Sequence, residues 1–143
     1  MKDQCLIFLQ SKIKLLKNNL LLGSGNIGKV KEIKFYLEYF NLFKNFKILD
    51  LCSFRDLGEP EENGSTFEEN SIIKSNFFFN KTKCLTLSDD SGFIVEGMKY
   101  FPGIKTARIA KELGGEQQVV DYIFRKNPKK KKVSATFHCS LSL

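Results

Sequence analysis

The chain has 143 residues, 42% of them hydrophobic. It contains no apolar run near the ~20 residues that a membrane-spanning helix needs, which points to one globular domain and away from a membrane protein. Its net charge of +7 rests almost wholly on lysine, with Arg55, Arg108 and Arg125 as the arginines, beside heavy Asn, Phe and Ile usage. That balance reads as biased codon composition, so neither nucleic acid nor membrane is expected as a partner.

At the N-terminus, Leu6, Leu9, Ile13, Leu16 and Leu20 recur at helical spacing with Lys12, Lys14 and Lys17 between them. Residues 1–19 therefore read as an amphipathic extension before a domain over 20–143. The absence of Arg and scarcity of Ser there argue against a targeting peptide. "NLLLG" predicts a short strand, "GSGNIGK" a glycine loop, and the next segment a helix with Val30, Ile33, Leu37 and Phe40 on one buried face. "FKILDLCSF" predicts a second strand. After a polar loop, Thr66-x-x-Glu69 is a capping box opening the helix "FEENSIIKSNFFFNKT". Two strands are expected around Asp89 and Asp90, then helices at "TARIAKEL" and "EQQVVDYIFRK" with a break at Gly114-Gly115 and a stop at Pro128. The run from Lys129 to Lys132 is a solvated loop.

The last residues alternate strictly, with Val133, Ala135, Phe137, Cys139, Leu141 and Leu143 on one face and Ser, Thr and His on the other. This predicts a half-buried strand inside which the chain ends, as in a domain truncated after its central strand. The order of elements gives an α/β fold with a mixed central sheet flanked by helices and an incomplete C-terminal part. Cys5, Cys52, Cys84 and Cys139 form no Cys-x-x-Cys pair and read as buried free thiols in a reducing cytoplasm. His138, the single histidine, has no zinc-ligand spacing.

Three constellations bear on chemistry. Gly23 to Lys29 matches G-x-G-x-x-G, and Asp50 lies about where a dinucleotide fold places its ribose-binding acid. It also matches G-x-x-x-x-G-K, with Val30 where a P-loop carries Ser or Thr. A tight turn without ligand is the third reading. The first two share small residues at a helix N-terminus and the charge of Lys29, which suit an anion. In "EENGSTFEEN", Asn70 stands one helical turn before Lys74 on the same face, beside carboxylates. In Asp89-Asp90-Ser91-Gly92, adjacent residues of an extended chain point to opposite sides, so the two aspartates need not share a task. Hard carboxylate oxygens near a phosphate cradle are what magnesium sites are made from.

"GSGNIGKVKEI", "EENGSTFEENSIIKS", "LSDDSGFIVEG" and "FPGIKTARIA", in this order, resemble the inosine triphosphate pyrophosphatase family, also called Ham1-like, over about Leu20 to Leu143. The resemblance implies Mg²⁺-dependent hydrolysis of non-standard purine nucleoside triphosphates (ITP, XTP, dITP) to monophosphate and pyrophosphate, by a cytoplasmic homodimer. It implies that Ser24, Gly25, Asn26, Ile27, Gly28 and Lys29 bind the triphosphate, and that Glu61 and Asp90 hold the metal. Asp90 would also be the general base, Ser91 would touch substrate, and Asn70, Lys74 and Arg108 would support it. Ser24 replaces the family's usual Thr, and Lys105 its usual Tyr. Family members continue with Phe-Gly-Tyr-Asp and Ser-His-Arg motifs that help hold the base, and neither is in this sequence. An inactive remnant or half of a split pyrophosphatase is therefore the alternative, and a dinucleotide-binding domain the lesser one.

Overall fold

The computed structural model describes residues 19–129 and 131–143. The expected N-terminal helix, with Cys5, lies outside them, and Asn19 already opens the first strand. The elements are β1 (Asn19–Leu22), α1 (Ile27–Tyr39), β2 (Lys47–Asp50), α2 (Phe67–Thr82), β3 (Leu85–Val95), α3 (Thr106–Leu113), α4 (Glu116–Lys126) and β4 (Ala135–Ser142). The strands form a central sheet in the order β2-β1-β3-β4, and β1 runs parallel to both β2 and β3. This is the α/β architecture expected.

The chain divides into two compact units. Among the described residues, the first holds those from Asn19 to Asn63, then Ser71–Asp89 and Leu141–Leu143; the second holds Gly64–Asn70 and Asp90–Ser140. In the first unit, Leu20, Leu21 and Leu22 of β1 are all fully buried. Leu20 and Leu22 pack with Val30 and Leu37 of α1, while Leu21 packs the other way with Phe78 and Cys84. An unbroken apolar run is what a parallel strand covered on both faces requires. The second unit has its own core, in which Val95, Val119 and Ile123 meet Phe93, Ile109 and Leu113. A left-handed Gly114 separates α3 from α4, as the glycine pair predicted.

Four expectations are corrected. One continuous strand, β3, runs through Asp89 and Asp90 where two strands were expected; each aspartate has a side-chain partner of its own, so no turn is needed to bring them to water. Phe40 is exposed, because α1 ends at Tyr39 and Phe40 only caps it, stacked on Tyr36. Of the described cysteines Cys84 is buried, whereas Cys52, in a single 3-10 turn after β2, and Cys139, on β4, are exposed.

The fourth correction concerns β4, whose apolar row does not face inward. His138 and Ser142 meet α2 instead: the His138 ring lies parallel to Phe67 at 5.7 Å between centroids. Ser142 Oγ donates to the Ser71 carbonyl at 2.6 Å and lies 2.9 Å from Ser75 Oγ. Phe137, Leu141 and Leu143 remain exposed. The physical reason is the polar surface that α2 offers at Ser71 and Ser75, which hydroxyls satisfy and leucines would strand.

Candidate functional site

The glycine loop is anchored from below. Gly23 N–H donates to the Leu87 carbonyl at 2.8 Å, fixing the end of β1 against β3. A Cβ at position 23 would collide with Ser88 Oγ and would lie 2.9 Å from the Phe78 ring, so only glycine fits there. Asn26 is the N-cap of α1, its Oδ1 accepting from Gly28 N–H at 2.9 Å and Lys29 N–H at 3.3 Å. Asn26 N–H in turn donates to Ser24 Oγ at 3.4 Å. Gly25, Asn26, Ile27 and Gly28 are exposed, and Ser24 and Lys29 partly so. Two amides that an anion would use are thus already satisfied by the Asn26 side chain.

Two lysines beside the loop, Lys29 and Lys74, are each paired with a carboxylate. Lys29 Nζ lies 2.7 Å from Asp89 Oδ2, and that carboxylate is 3% exposed. A carboxylate so far from water needs a cation beside it, and Lys29 supplies one from the first turn of α1. Lys74 of α2 reaches Glu62 Oε1 at 2.9 Å and the Asp89 carbonyl at 3.1 Å. Glu62, Lys74, Gly23, Ser24, Gly25 and Phe78 line a cavity of about 270 Å³ with neighbouring loop residues. That volume lies below the roughly 300–1,000 Å³ of pockets that enclose drug-sized ligands, and it suits a phosphate chain rather than a whole nucleotide.

In the second unit, Asn70 ties the loop before α2 to β3. Its Oδ1 accepts from Gly64 N–H at 2.9 Å, and its Nδ2 donates to Asp90 Oδ2 at 3.2 Å. Asn70 and Asp90 are both buried. Thr66 Oγ1 accepts from Glu69 N–H at 3.1 Å, as the capping box predicted, but Glu69 returns to Ser65 N–H instead of Thr66. Beyond Ser91, which is half-buried, Gly92 packs on the start of α3. A Cβ there would lie 2.5 Å from Thr106 Oγ1 and 2.6 Å from the Gly103 carbonyl. Arg108 stands exposed on α3.

The predicted residues therefore separate. Ser24, Gly25 and Lys74 share the cavity, Lys29 is held by Asp89, and Asn70 is held to Asp90. Glu61 is exposed and does not line the cavity, whereas its neighbour Glu62 does. In an irregular loop no periodicity tells which of two adjacent glutamates points inward. Ser88 also escaped the sequence reading: its Oγ is fully buried, without a hydrogen-bond partner, beside Gly23. Asp50, the candidate ribose ligand, is engaged by Lys34 Nζ at 3.1 Å and Ser53 Oγ at 3.3 Å. The Lys34 bond holds its carboxyl below the usual carboxylate range, against the opposing effect of burial.

Among the described residues no three His, Cys, Asp or Glu side chains converge as a metal cluster. Magnesium does not require one, because it is held by one or two carboxylates while substrate phosphates complete its shell. Carboxylates beside a phosphate-sized cavity, without His or Cys, fit that ion and do not fit zinc. Among the described residues no helix is long and apolar enough to cross a membrane.

A parallel β-α-β unit thus carries the glycine loop into α1, beside a small cavity that Lys74 lines. The chain belongs to the Ham1 family, which it matches over residues 20–143. It is 32% identical over 125 residues to a dITP/XTP pyrophosphatase of Bacillus anthracis, a match covering 86% of this chain and 60% of that protein. The Ham1 protein structure from Staphylococcus aureus superposes with a TM-score of 0.70 at 28% identity, over 87% of this chain and 62% of that one. A HAM1 protein from Coxiella burnetii gives 0.70 at 27% identity. The chain spans about three-fifths of the length of these relatives.

Proposed function

We propose that this chain is the phosphate-and-metal part of a nucleoside triphosphate pyrophosphatase that acts on dITP, XTP and ITP, releasing monophosphate and pyrophosphate. The observation that supports this reading most is the cavity between the glycine loop and Lys74, in a chain belonging to the Ham1 family. Ser24, Gly25, Asn26, Ile27, Gly28 and Lys29 receive the phosphates. Lys74 takes phosphate charge by exchanging its Glu62 partner for a phosphate oxygen. Asp90, with Glu61 or the cavity-lining Glu62, holds magnesium, which when bound neutralises the triphosphate and favours attack by water. Asp90 accepts the proton of the attacking water as the bond between the α- and β-phosphoryl groups breaks, and pyrophosphate departs with the bonding electrons. Asn70 fixes the rotamer of Asp90, so it is a positioning residue. Ser91 and Arg108 contact substrate.

Residues 20–143 form the functional domain in this reading, working in the cytoplasm as a homodimer when the base-holding part is supplied. On its own the chain binds triphosphates weakly with Mg²⁺ and shows little preference for inosine over adenine, because its residues address phosphate and metal, which all nucleotides share. An inactive or split pyrophosphatase is the second reading. A dinucleotide-binding role is disfavoured by the engagement of Asp50 with Lys34.

Calorimetric Mg²⁺ titration and pyrophosphate release from dITP test this with Asp90→Asn, a nearly isosteric change. Binding should weaken at least tenfold and any release should vanish. Unchanged Mg²⁺ affinity in the variant would remove Asp90 from the metal site. A native chain that binds no triphosphate leaves the inactive reading standing.

A further inference from the structure

The last turns of α1, with the cap residue Phe40, present aromatic side chains to water. Phe35, Tyr36, Tyr39 and Phe40 are between 49% and 70% exposed, and Leu42 just beyond them is exposed as well. At 3.6 residues per turn these four positions fall on one arc of the helix, beside the arc of Val30, Ile33 and Leu37 that packs on β1. The rings already meet one another, with centroids 4.9 Å apart for Tyr39 and Phe40 and 5.9 Å apart for Phe35 and Tyr39. They form one continuous apolar patch, and a patch of that kind on a helix marks a contact surface. The charged side chain nearest the middle of the arc is Glu32, which is exposed one turn earlier.

We propose that residues 1–18 of this chain cover the aromatic patch of α1, with Leu6, Leu9, Ile13 and Leu16 against its rings. Three observations select this occupant. The first is register. Asn19 pairs with Lys47 across the parallel strands β1 and β2, so the chain before Asn19 enters the sheet beside the chain that arrives from α1. That arriving connection is short and folded back, with Leu42 N–H donating to the Leu37 carbonyl at 2.8 Å and Phe46 N–H to the Phe43 carbonyl at 2.7 Å. The aromatic end of α1 and the entry to β1 therefore lie at the same end of the sheet. The second is length, since eighteen residues span about 27 Å as a helix, enough to run along the aromatic turns of α1. The third is chemistry: the apolar row recurs at helical spacing with Lys12, Lys14 and Lys17 between its members, which complements an apolar patch centred on Glu32. Because the segment is joined to β1, its effective concentration at the patch is on the order of millimolar, above that of a second copy in dilute solution. The proposal does not rest on the pyrophosphatase reading, so a catalytically silent chain still tests it.

The test uses the full 143-residue chain. Amide hydrogen exchange over residues 5–17 should run at least tenfold slower than in a synthetic peptide of residues 1–18. A Phe35→Ala, Tyr39→Ala double variant should bring that exchange back to within about twofold of the peptide while exchange inside α1 stays unchanged, since both side chains are exposed and alanine favours a helix. The reciprocal Leu9→Ser, Ile13→Ser variant leaves α1 and the sheet untouched and should raise hydroxyl-radical labelling of Tyr39 at least threefold, so it decides the matter should the first variant disturb α1. Exchange over residues 5–17 equal to that of the peptide overturns the proposal, as does protection that the aromatic variant leaves intact. Protection lost on dilution to nanomolar chain would assign the patch to a second copy. Protection that arises only with vesicles of phosphatidylserine and phosphatidylcholine would assign the lysine-flanked row to a lipid surface, and either result overturns the proposal.

Discussion

At the glycine loop, Asn26, Lys29 and Asp89 have partners at short range, while along β4 Phe137 and Leu141 stay exposed. Lys29 and Asp89 come from elements sixty residues apart in sequence and meet at 2.7 Å. Phe137 and Leu141 lie on one strand and meet no such complement. Both regions contain groups whose burial or exposure is costly unless another element answers it. In the first, α1 and α2 provide the answer within the chain; in the second, α2 meets His138 and Ser142 and leaves Phe137 and Leu141 exposed. The loop should consequently be sensitive to single substitutions and the odd face of β4 tolerant of them.

Four outcomes would sharpen or break that contrast. The largest concerns paired core positions: Phe78→Ala, at a buried site beside Leu21, should lower unfolding stability by about 3–5 kcal/mol. Phe137→Ala should stay within about 0.5 kcal/mol. Urea denaturation of both variants checks this, and a comparable loss at Phe137 would show that β4 is covered within the chain. Next is Lys29→Ala, which leaves Asp89 buried beside less positive charge. A stability loss of about 2–4 kcal/mol is expected, and Asp89→Asn in the same background should restore part of it, because the cost lies in the uncompensated carboxylate. Triphosphate affinity should fall more than monophosphate affinity in Lys29→Ala; an equal loss for both would make Lys29 a structural cation only.

A smaller effect is expected under the loop. Ser88→Ala removes a buried hydroxyl that has no partner, so stability should hold or rise by up to about 1 kcal/mol. Gly23→Ala should destabilise by about 1–3 kcal/mol through overpacking. The double variant should be milder than the sum, since the collision with Ser88 Oγ is then gone, although Phe78 still crowds the site. Strict additivity in thermal unfolding would show that the two positions do not touch.

The smallest effect is the surface pair of Asp50 and Lys34. The Asp50 carboxyl is held below its ordinary range in the folded chain, so its contribution is present above the carboxylate range of the unfolded chain. It is lost as pH falls through the folded value. Lys34→Gln should therefore differ from the native chain by about 0.2–1 kcal/mol near pH 7 and by nothing in strong acid. A gap that widens on acidification would reverse the assigned sign.

Much of the framework was legible from local pattern. The apolar run of β1, the Thr66 cap and the glycine break before α4 depend on backbone preferences and near neighbours, and they stand where the sequence placed them. The glycine loop was legible for the same reason, because a small-residue turn into a helix is a local device. The choice between Glu61 and Glu62 was not, since adjacent residues in a loop without periodicity carry no directional signal. Nor was the continuity of β3, which depends on Lys29 and Asn70 supplying partners to two adjacent aspartates from separate helices.

By itself the sequence determined most of the helices and strands, the Thr66 cap and the break at Gly114, the glycine loop into α1 and the family to which the chain belongs. Tertiary structure alone decided that Lys29 neutralises Asp89, that Ser88 closes position 23 to any side chain, and that β4 turns its polar row toward α2. Period-two alternation states only that a strand has two different faces. Which face is covered depends on the surface another element brings to it, and α2 brings Ser71, Ser75 and the Phe67 ring, for which hydroxyls and an imidazole are the better complement.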